Sequence, residues 1–126
     1  MMQDFEQISS ITDLANSRAT GELAFTFPEV VEAIHRCTAN SIAVLGVEIF
    51  LVRNGEYYAS GCSTYELQLE RKWVEVRAQD WSKYVQENNT LAEESVRSNP
   101  TGDDHVYVLT TSSWREFCGI NELKRR

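Results

Sequence analysis

A cysteine and a histidine are the residues of this chain best suited to catalysis. Cys62 stands among small residues, and His105 directly follows Asp103 and Asp104. A histidine within hydrogen-bonding distance of a thiol can act as its base, and a carboxylate can orient that histidine. Negative surroundings disfavour a thiolate, however, and this chain is acidic. A small cysteine-dependent enzyme that uses Cys62 and His105 is therefore the alternative function, not the first choice.

Patterns typical of metal or cofactor sites are missing from the sequence. The compact groups of possible ligands are His35-x-Cys37 and Asp103-Asp104-His105, and neither has the paired spacing of a zinc site. Helical geometry directs His35 outward and Cys37 toward the core, so the two side chains do not converge. No glycine-rich phosphate loop, G-x-S-x-G elbow or H-E-x-x-H motif occurs. We therefore expect no metal, no cofactor and no enzymatic activity.

Glu48 is a carboxylate within an otherwise apolar stretch, Ile42 to Val52. If it is buried it needs a partner, such as Arg53, Arg77 or the backbone of a turn. We favour a structural role, in which a hydrogen bond of Glu48 fixes a bend near Gly61, over a catalytic one. The alternative is that this face of the strand is partly exposed to solvent.

The charge of the chain favours a basic protein as its partner. Nineteen acidic and twelve basic residues give a formal net charge of −7. Three of the bases form the run Lys124 to Arg126, and removing them leaves −10 for residues 1–123. A negative field repels nucleic acid and anionic membranes, and it speeds encounter with a basic protein. The alternative is that the charge only keeps a small domain soluble.

Chain length, cysteines and N-terminal composition predict one cytoplasmic domain. The 126 residues have the usual size of a single domain, 1–126. Three cysteines without a C-x-x-C pair are typical of a reducing compartment. Residues 1–10 lack the basic and apolar regions of a secretory signal, and the longest apolar stretch is too short to cross a bilayer.

Apolar spacing and capping residues predict four helices. Thr26 with Glu29 and Ser113 with Glu116 are capping boxes, and Asp80 is a suitable N-cap. The predicted helices are Asp4 to Arg18, Thr26 to Asn40, Trp81 to Arg97 and a short one that opens at Ser113.

A long β-hairpin is the clearest strand signal. Asn54-Gly55 matches a two-residue type I′ turn that joins two strands. Simple register pairs Arg53 with Glu56 and Glu48 with Gly61, where a hairpin of this length is expected to bend. The first strand shows one apolar face by alternation: Ala43, Leu45, Val47, Ile49 and Leu51. The predicted strands are Ile42 to Arg53, Glu56 to Glu70, Trp73 to Arg77 and His105 to Thr111.

The resulting order of elements is α-α-β-β-β-α-β-α. A hairpin is antiparallel, because parallel strands need a long crossover connection. We therefore predict an α+β fold, with an antiparallel sheet that contains the long β-hairpin and is flanked by helices.

Acidic side chains and a tyrosine are the candidates for contact with a partner. Tyrosine supplies anchor area in protein interfaces, and acidic groups complement a basic surface. The candidate protein-binding residues are Tyr57, Glu66, Glu70, Glu93, Glu94, Asp103 and Asp104. A scaffold domain that associates with itself, for example as a homodimer, is a further alternative.

The capped helix followed by Ile42-Ala-Val-Leu-Gly-Val-Glu-Ile-Phe50 resembles the immunity proteins of bacterial polymorphic-toxin and contact-dependent inhibition systems. The stretch Gly46-Val47-Glu48, with a later glycine, is similar to one branch of them, the immunity protein 40 family. The resemblance covers residues 26–70. It implies a protein that binds a cognate toxin domain, such as a basic nuclease, and neutralises it stoichiometrically.

Overall fold

The computed structural model describes residues 5–15, 17–19, 22–66, 76–98, 102 and 104–124, with the backbone alone for residues 6, 17–19, 60–66 and 120–124. The helices are α1 (Ser9–Thr12), α2 (Phe27–Ala39), α3 (Trp81–Ser98) and α4 (Trp114–Lys124). The strands are β1 (Ser17–Ala19), β2 (Glu22–Ala24), β3 (Ala43–Arg53), β4 (Glu56–Glu66) and β5 (His105–Ser112). Short 3₁₀ helices cover Phe5–Gln7 and Ala78–Asp80.

The main sheet is antiparallel with the strand order β4-β3-β5, so the predicted α+β fold is confirmed. The turn is built as predicted, with φ values of 54° at Asn54 and 77° at Gly55. Arg53 lies opposite Glu56, as the simple register requires. Helices α2 and α3 pack against β3, and the largest hydrophobic cluster lies between these elements.

The predicted long N-terminal helix is wrong. A 3₁₀ turn and the four-residue helix α1 replace its first part, and β1 and β2 form a small antiparallel hairpin directly after it. The apolar spacing of Ile8 and Ile11 fits two successive tight turns as well as a helix, and both side chains are buried. A short helix gains little from propensity alone, so tertiary packing decides the conformation of this segment.

Helix α2 has the predicted boundaries because its N-terminal signal is local. The carboxylate of Glu29 accepts a hydrogen bond from the Thr26 backbone N–H at 2.9 Å, which forms the capping box. Arg36 donates to Glu32 one turn earlier, also at 2.9 Å. Cys37 is fully buried and His35 is exposed, as the helical spacing predicts.

Helix α3 also begins at Trp81, as predicted, and buries an apolar stripe that includes Trp81, Val85, Ala92 and Val96. Asn88 and Asn89 lie on the same stripe and are buried, which apolar periodicity does not predict. Helix α4 opens with the predicted capping box, in which the Ser113 N–H donates to Glu116 at 2.9 Å. The predicted strand Trp73 to Arg77 lies mostly outside the described residues, and its last two residues belong to no strand.

A bulge in β4 changes the predicted register beyond the hairpin turn. Phe50 lies opposite Ala59, but Glu48 lies opposite Ser63 and not opposite Gly61. Two residues of β3 therefore span four of β4, and the predicted bend near Gly61 is confirmed. The side chain of Glu48 is exposed, which agrees with the alternative of a solvent-exposed position, so this carboxylate does not need a buried partner. Its role in fixing the bend stays a prediction.

A second bulge, in β3 between Val44 and Gly46, divides the predicted apolar face. Val44 joins Val47 and Ile49 in the cluster beneath α2, whereas Ala43 and Leu45 pack with aromatic residues of α3 and α4. One extra residue in a strand reverses the direction of every side chain before it. Strict alternation along β3 is therefore wrong at its N-terminal end.

Candidate protein-binding site at the hairpin end of the sheet

Three side chains form a row across the sheet at the end nearest the hairpin turn. Leu51 of β3 lies opposite Tyr58 on one side and opposite His105 on the other. Directly paired residues project from the same face of a sheet, so the three side chains stand side by side. Tyr58 is 49% exposed, and Leu51 and His105 are half-buried. We refer to these three residues as the aromatic row.

An acidic neighbour holds each ring of the aromatic row. The Tyr58 hydroxyl donates a hydrogen bond to Glu56 Oε2 at 2.6 Å, and His105 Nδ1 lies 2.8 Å from Asp104 Oδ1. The hydrogen bond to Glu56, with a smaller effect of desolvation, raises the pKa of Tyr58 above its ordinary value. Both rings are thereby oriented before any partner arrives, which lowers the entropy cost of binding.

The backbone explains why these acids stand beside these rings. Glu56 and Tyr58 are two residues apart on one strand, so they share a face. The Val52 N–H donates to the Asp104 carbonyl at 2.7 Å, which holds Asp104 against β3 immediately before β5 begins. The type I′ turn and this hydrogen bond therefore place one carboxylate at each end of the aromatic row.

Of the predicted binding residues whose side chains the structure describes, Asp104 alone belongs to this arrangement. Tyr57 points to the opposite face, where it is half-buried against the cluster that contains Phe50 and Val106. Tyr58 takes the exposed position instead. Alternation counted from the turn distinguishes the two tyrosines, because residues next to each other in a strand face opposite sides.

Where the structure describes their backbone, the other predicted acids lie on elements or positions away from the aromatic row. Glu66 lies opposite Gly46, six residues of β3 from the partner of Tyr57, or about 20 Å along the strand. Glu93 and Glu94 are on α3. Glu70 and Asp103 lie outside the described residues, as does the side chain of Glu66. The predicted set is therefore not a single surface.

Glu93 connects two helices. Its Oε2 accepts a hydrogen bond from Arg97 Nε at 2.8 Å, and its Oε1 contacts His35 Nε2 of α2. Partial desolvation works to raise the pKa of this carboxyl, but the hydrogen bonds and charges of Arg97 and His35 outweigh it and lower the pKa. Glu93 therefore already has two partners within the fold.

The strand order disfavours the Cys62–His105 pair. Cys62 lies on β4 and His105 on β5, with β3 between them, so two strand spacings of about 5 Å each separate their backbones. Ser63 is opposite Glu48 whereas His105 is opposite Leu51, which adds a stagger along the sheet. The backbones are therefore more than about 10 Å apart, too far for a ready hydrogen bond between these side chains.

The remaining described residues offer little chemistry. Burial raises the pKa of the Cys37 thiol to about 12, so this cysteine stays protonated at neutral pH. Within the described ranges, no group of three or more histidine, cysteine, aspartate or glutamate side chains is placed to hold a metal ion. No helix in the same ranges is long and apolar enough to cross a membrane.

The aromatic row thus combines exposed apolar area, fixed rings and flanking carboxylates, which are features common in protein-binding surfaces. Comparison with protein-family models, with curated proteins and with solved structures finds no match to the chain.

Proposed function

We propose that this chain is a stoichiometric inhibitor of a basic toxin domain, the role of an immunity protein in a bacterial polymorphic-toxin system. The observation that carries the proposal is the aromatic row, with Tyr58 half-exposed and hydrogen-bonded to Glu56 at 2.6 Å. In the proposed complex the chain binds the toxin in the cytoplasm of the producing cell and prevents access of its substrate.

Tyr58 is suited to be the anchor of such an interface. Among the described residues, the large hydrophobic side chains that are exposed to solvent are Tyr58 and Leu91. A tyrosine has few rotatable bonds and offers both an apolar ring and a polar tip, so it loses little entropy when it is buried by a partner. Leu51 beside it adds apolar area at the centre of the row.

The charge supports a basic partner. Glu56 and Asp104 flank the row, and residues 1–123 carry −10 in total. The substrate-binding face of a nuclease is positively charged because it holds phosphates. An acidic inhibitor is attracted to that face, and its carboxylates stand where the phosphate groups of the substrate would lie.

A binding experiment with the toxin domain encoded next to the gene tests this function. The purified chain is expected to inhibit that domain at a one-to-one ratio, with an association rate that falls as salt is raised, because charge steering is screened. Absence of inhibition by an excess of the chain contradicts the proposal. An association rate that is insensitive to salt contradicts the electrostatic part of it.

Two exposed hydrophobic side chains provide a matched pair of variants. Tyr58→Ala is expected to weaken binding by roughly 10- to 30-fold, as removal of an interface anchor does. Leu91→Ala removes a side chain that is 56% exposed on α3, outside the row, and is expected to leave binding unchanged. If the two substitutions change the affinity for the toxin domain equally, the aromatic row is not the contact surface.

A further inference from the structure

The β2 segment is joined to β5 by an isolated bridge and not by a continuous ladder. Phe25 directly follows β2, and its N–H donates to the Tyr107 carbonyl at 2.9 Å while the Tyr107 N–H donates back at 2.7 Å. These two bonds are the backbone hydrogen bonds between the β2 segment and β5 within the described ranges. As far as the described residues show, β5 therefore has an open edge next to this bridge.

A groove occupies the position where the next pair of residues would meet. In a continued antiparallel ladder, Leu23 would lie opposite Leu109, two residues from the bridge on each strand. Instead a half-open cavity of about 280 Å³ lies there, bounded by both leucines, by Phe5 and by Thr111. We call it the β2–β5 groove.

The backbone groups at this groove are oriented for strand pairing. Tyr107 and Phe25 direct their N–H and C=O groups toward each other, and the direction repeats every second residue along a strand. The N–H and C=O groups of Leu23 and Leu109 therefore face the groove from its two sides. The side chains of the same two residues are buried in the core, so this edge is held rigidly.

The described ionisable side chains that line the groove are negative, namely Glu22 of β2 and Glu116 of α4. Glu116 accepts the Ser113 N–H in the capping box, so its carboxylate is fixed at the N-terminal end of α4. A chain of extended residues with positive side chains would complement both carboxylates.

We propose that the β2–β5 groove binds an extended, basic segment of a partner protein by strand addition to β5. The stretch from Leu109 to Thr111 is long enough for about three residues of an added strand, at roughly 3.3 Å per residue. Backbone hydrogen bonds to the open edge hold the segment, and lysine or arginine side chains pair with the two glutamates. The inference stands on the groove and does not depend on neutralisation of a toxin.

Titration of the isotope-labelled full chain with the blocked tetrapeptide Ac-Lys-Val-Arg-Val-amide tests the proposal. Binding is expected to shift the amide signals of Leu23 and Leu109 and to slow exchange of these amide hydrogens. The Tyr58 amide, in the aromatic row, is expected to stay unchanged. Absence of binding, or shifts that centre on Tyr58, would overturn the proposal.

Two altered peptides separate strand pairing from simple charge attraction without any change to the protein. N-methylation of alternate residues removes backbone donors and keeps the charge, and it is expected to weaken binding about tenfold or more. The acidic analogue Ac-Glu-Val-Glu-Val-amide is expected not to bind. Equal affinity of the methylated and parent peptides would refute strand addition.

A pair of double variants tests the carboxylates. The double variant Glu22→Gln, Glu116→Gln keeps the α4 cap, since glutamine also serves in a capping box. It is expected to lower the affinity for the basic peptide by roughly three- to tenfold. The control, Glu87→Gln with Glu94→Gln, removes two charges from the exposed side of α3 and should change affinity far less.

Self-association of the chain through the Leu109 edge, seen as concentration-dependent shifts and a dimer on sizing, would identify a second copy as the occupant and overturn the peptide proposal.

Discussion

Asn89 Oδ1 accepts a hydrogen bond from the backbone N–H of Val44 at 2.8 Å, which ties the middle of α3 to the bulge in β3 between Val44 and Gly46. The amide nitrogen of Asn89 donates to the Ile42 carbonyl at 2.8 Å and to Thr38 Oγ1 at 3.0 Å. One buried side chain therefore connects a helix, a strand and the end of another helix. A buried amide is stable only when its polar atoms are paired in this way.

Asn89→Ala is expected to lower the free energy of unfolding by about 2–4 kcal/mol, because the Val44 N–H loses its partner inside the core. Urea unfolding followed by circular dichroism measures the change. Thr90→Ala is the control, since the Thr90 hydroxyl is exposed and bonds only the Gln86 carbonyl in its own helix. Equal stability of the two variants would show that the amide does not hold α3 to the sheet.

Gly55→Ala is expected to cost about 1–2 kcal/mol, because its φ of 77° is unfavourable for a residue with a Cβ. No heavy atom lies within 4 Å of an added Cβ, so the cost comes from the backbone and not from a clash. Asn54→Gly is the control, because glycine also adopts positive φ at this position of the turn, and it is expected to change the free energy of unfolding much less. An alanine variant as stable as the parent in thermal unfolding would contradict the type I′ turn.

Glu93 is expected to make stability depend on pH in the acid range. Its pKa is lowered in the folded state, so its contribution is present above the unfolded pKa of about 4.5 and is lost as the pH falls through the folded value. Because Glu93 is partly exposed, solvent screening keeps the effect below about 1 kcal/mol. Urea midpoints of the parent and Glu93→Gln should differ at pH 7 and converge as the pH falls from about 4.5 through the lowered pKa of the folded state. A difference in urea midpoint that stays constant with pH would show that Glu93 stabilises the fold through packing and not through its charge.

The thiols are expected to differ strongly in reactivity. Cys118 is exposed, whereas Cys37 is buried with its pKa raised to about 12. In a Cys62→Ser background at pH 7.5, a thiol reagent should label Cys118 in the native protein and Cys37 only after unfolding. In the parent chain, labelling of Cys62 faster than that of an unfolded control would instead revive the cysteine-dependent enzyme.

Local sequence signals predict those elements whose determinants lie within a few residues. The capping pair Thr26 and Glu29 marks the start of α2, Ser113 and Glu116 mark that of α4, and Asn54-Gly55 predicts the turn. In each case the residues that make the stabilising contact are neighbours in the chain, so no other part of the fold is needed to satisfy them.

The candidate site is only partly predictable in the same way. The sequence indicates the Asp104–His105 pair and a tyrosine near the turn, since both are local. Which tyrosine is exposed depends on the register of β3 with β4, and the neighbour of His105 depends on the strand order. Leu51 meets Tyr58 through the local hairpin, but it meets His105 only because β5, which is distant in sequence, pairs with the other side of β3.

By itself, the sequence determined the α+β class, the long hairpin, three of the four helices and the acidity of the chain, because each follows from composition or from contacts between near neighbours. Only the tertiary structure decided the small β1–β2 hairpin, the bulge in β3, the register of β4 beyond Gly61, the buried Asn89 and, among the described residues, the open edge of β5. These features depend on which strands pair and on how the core is filled, and such contacts between distant residues override the weak local preference of a short segment.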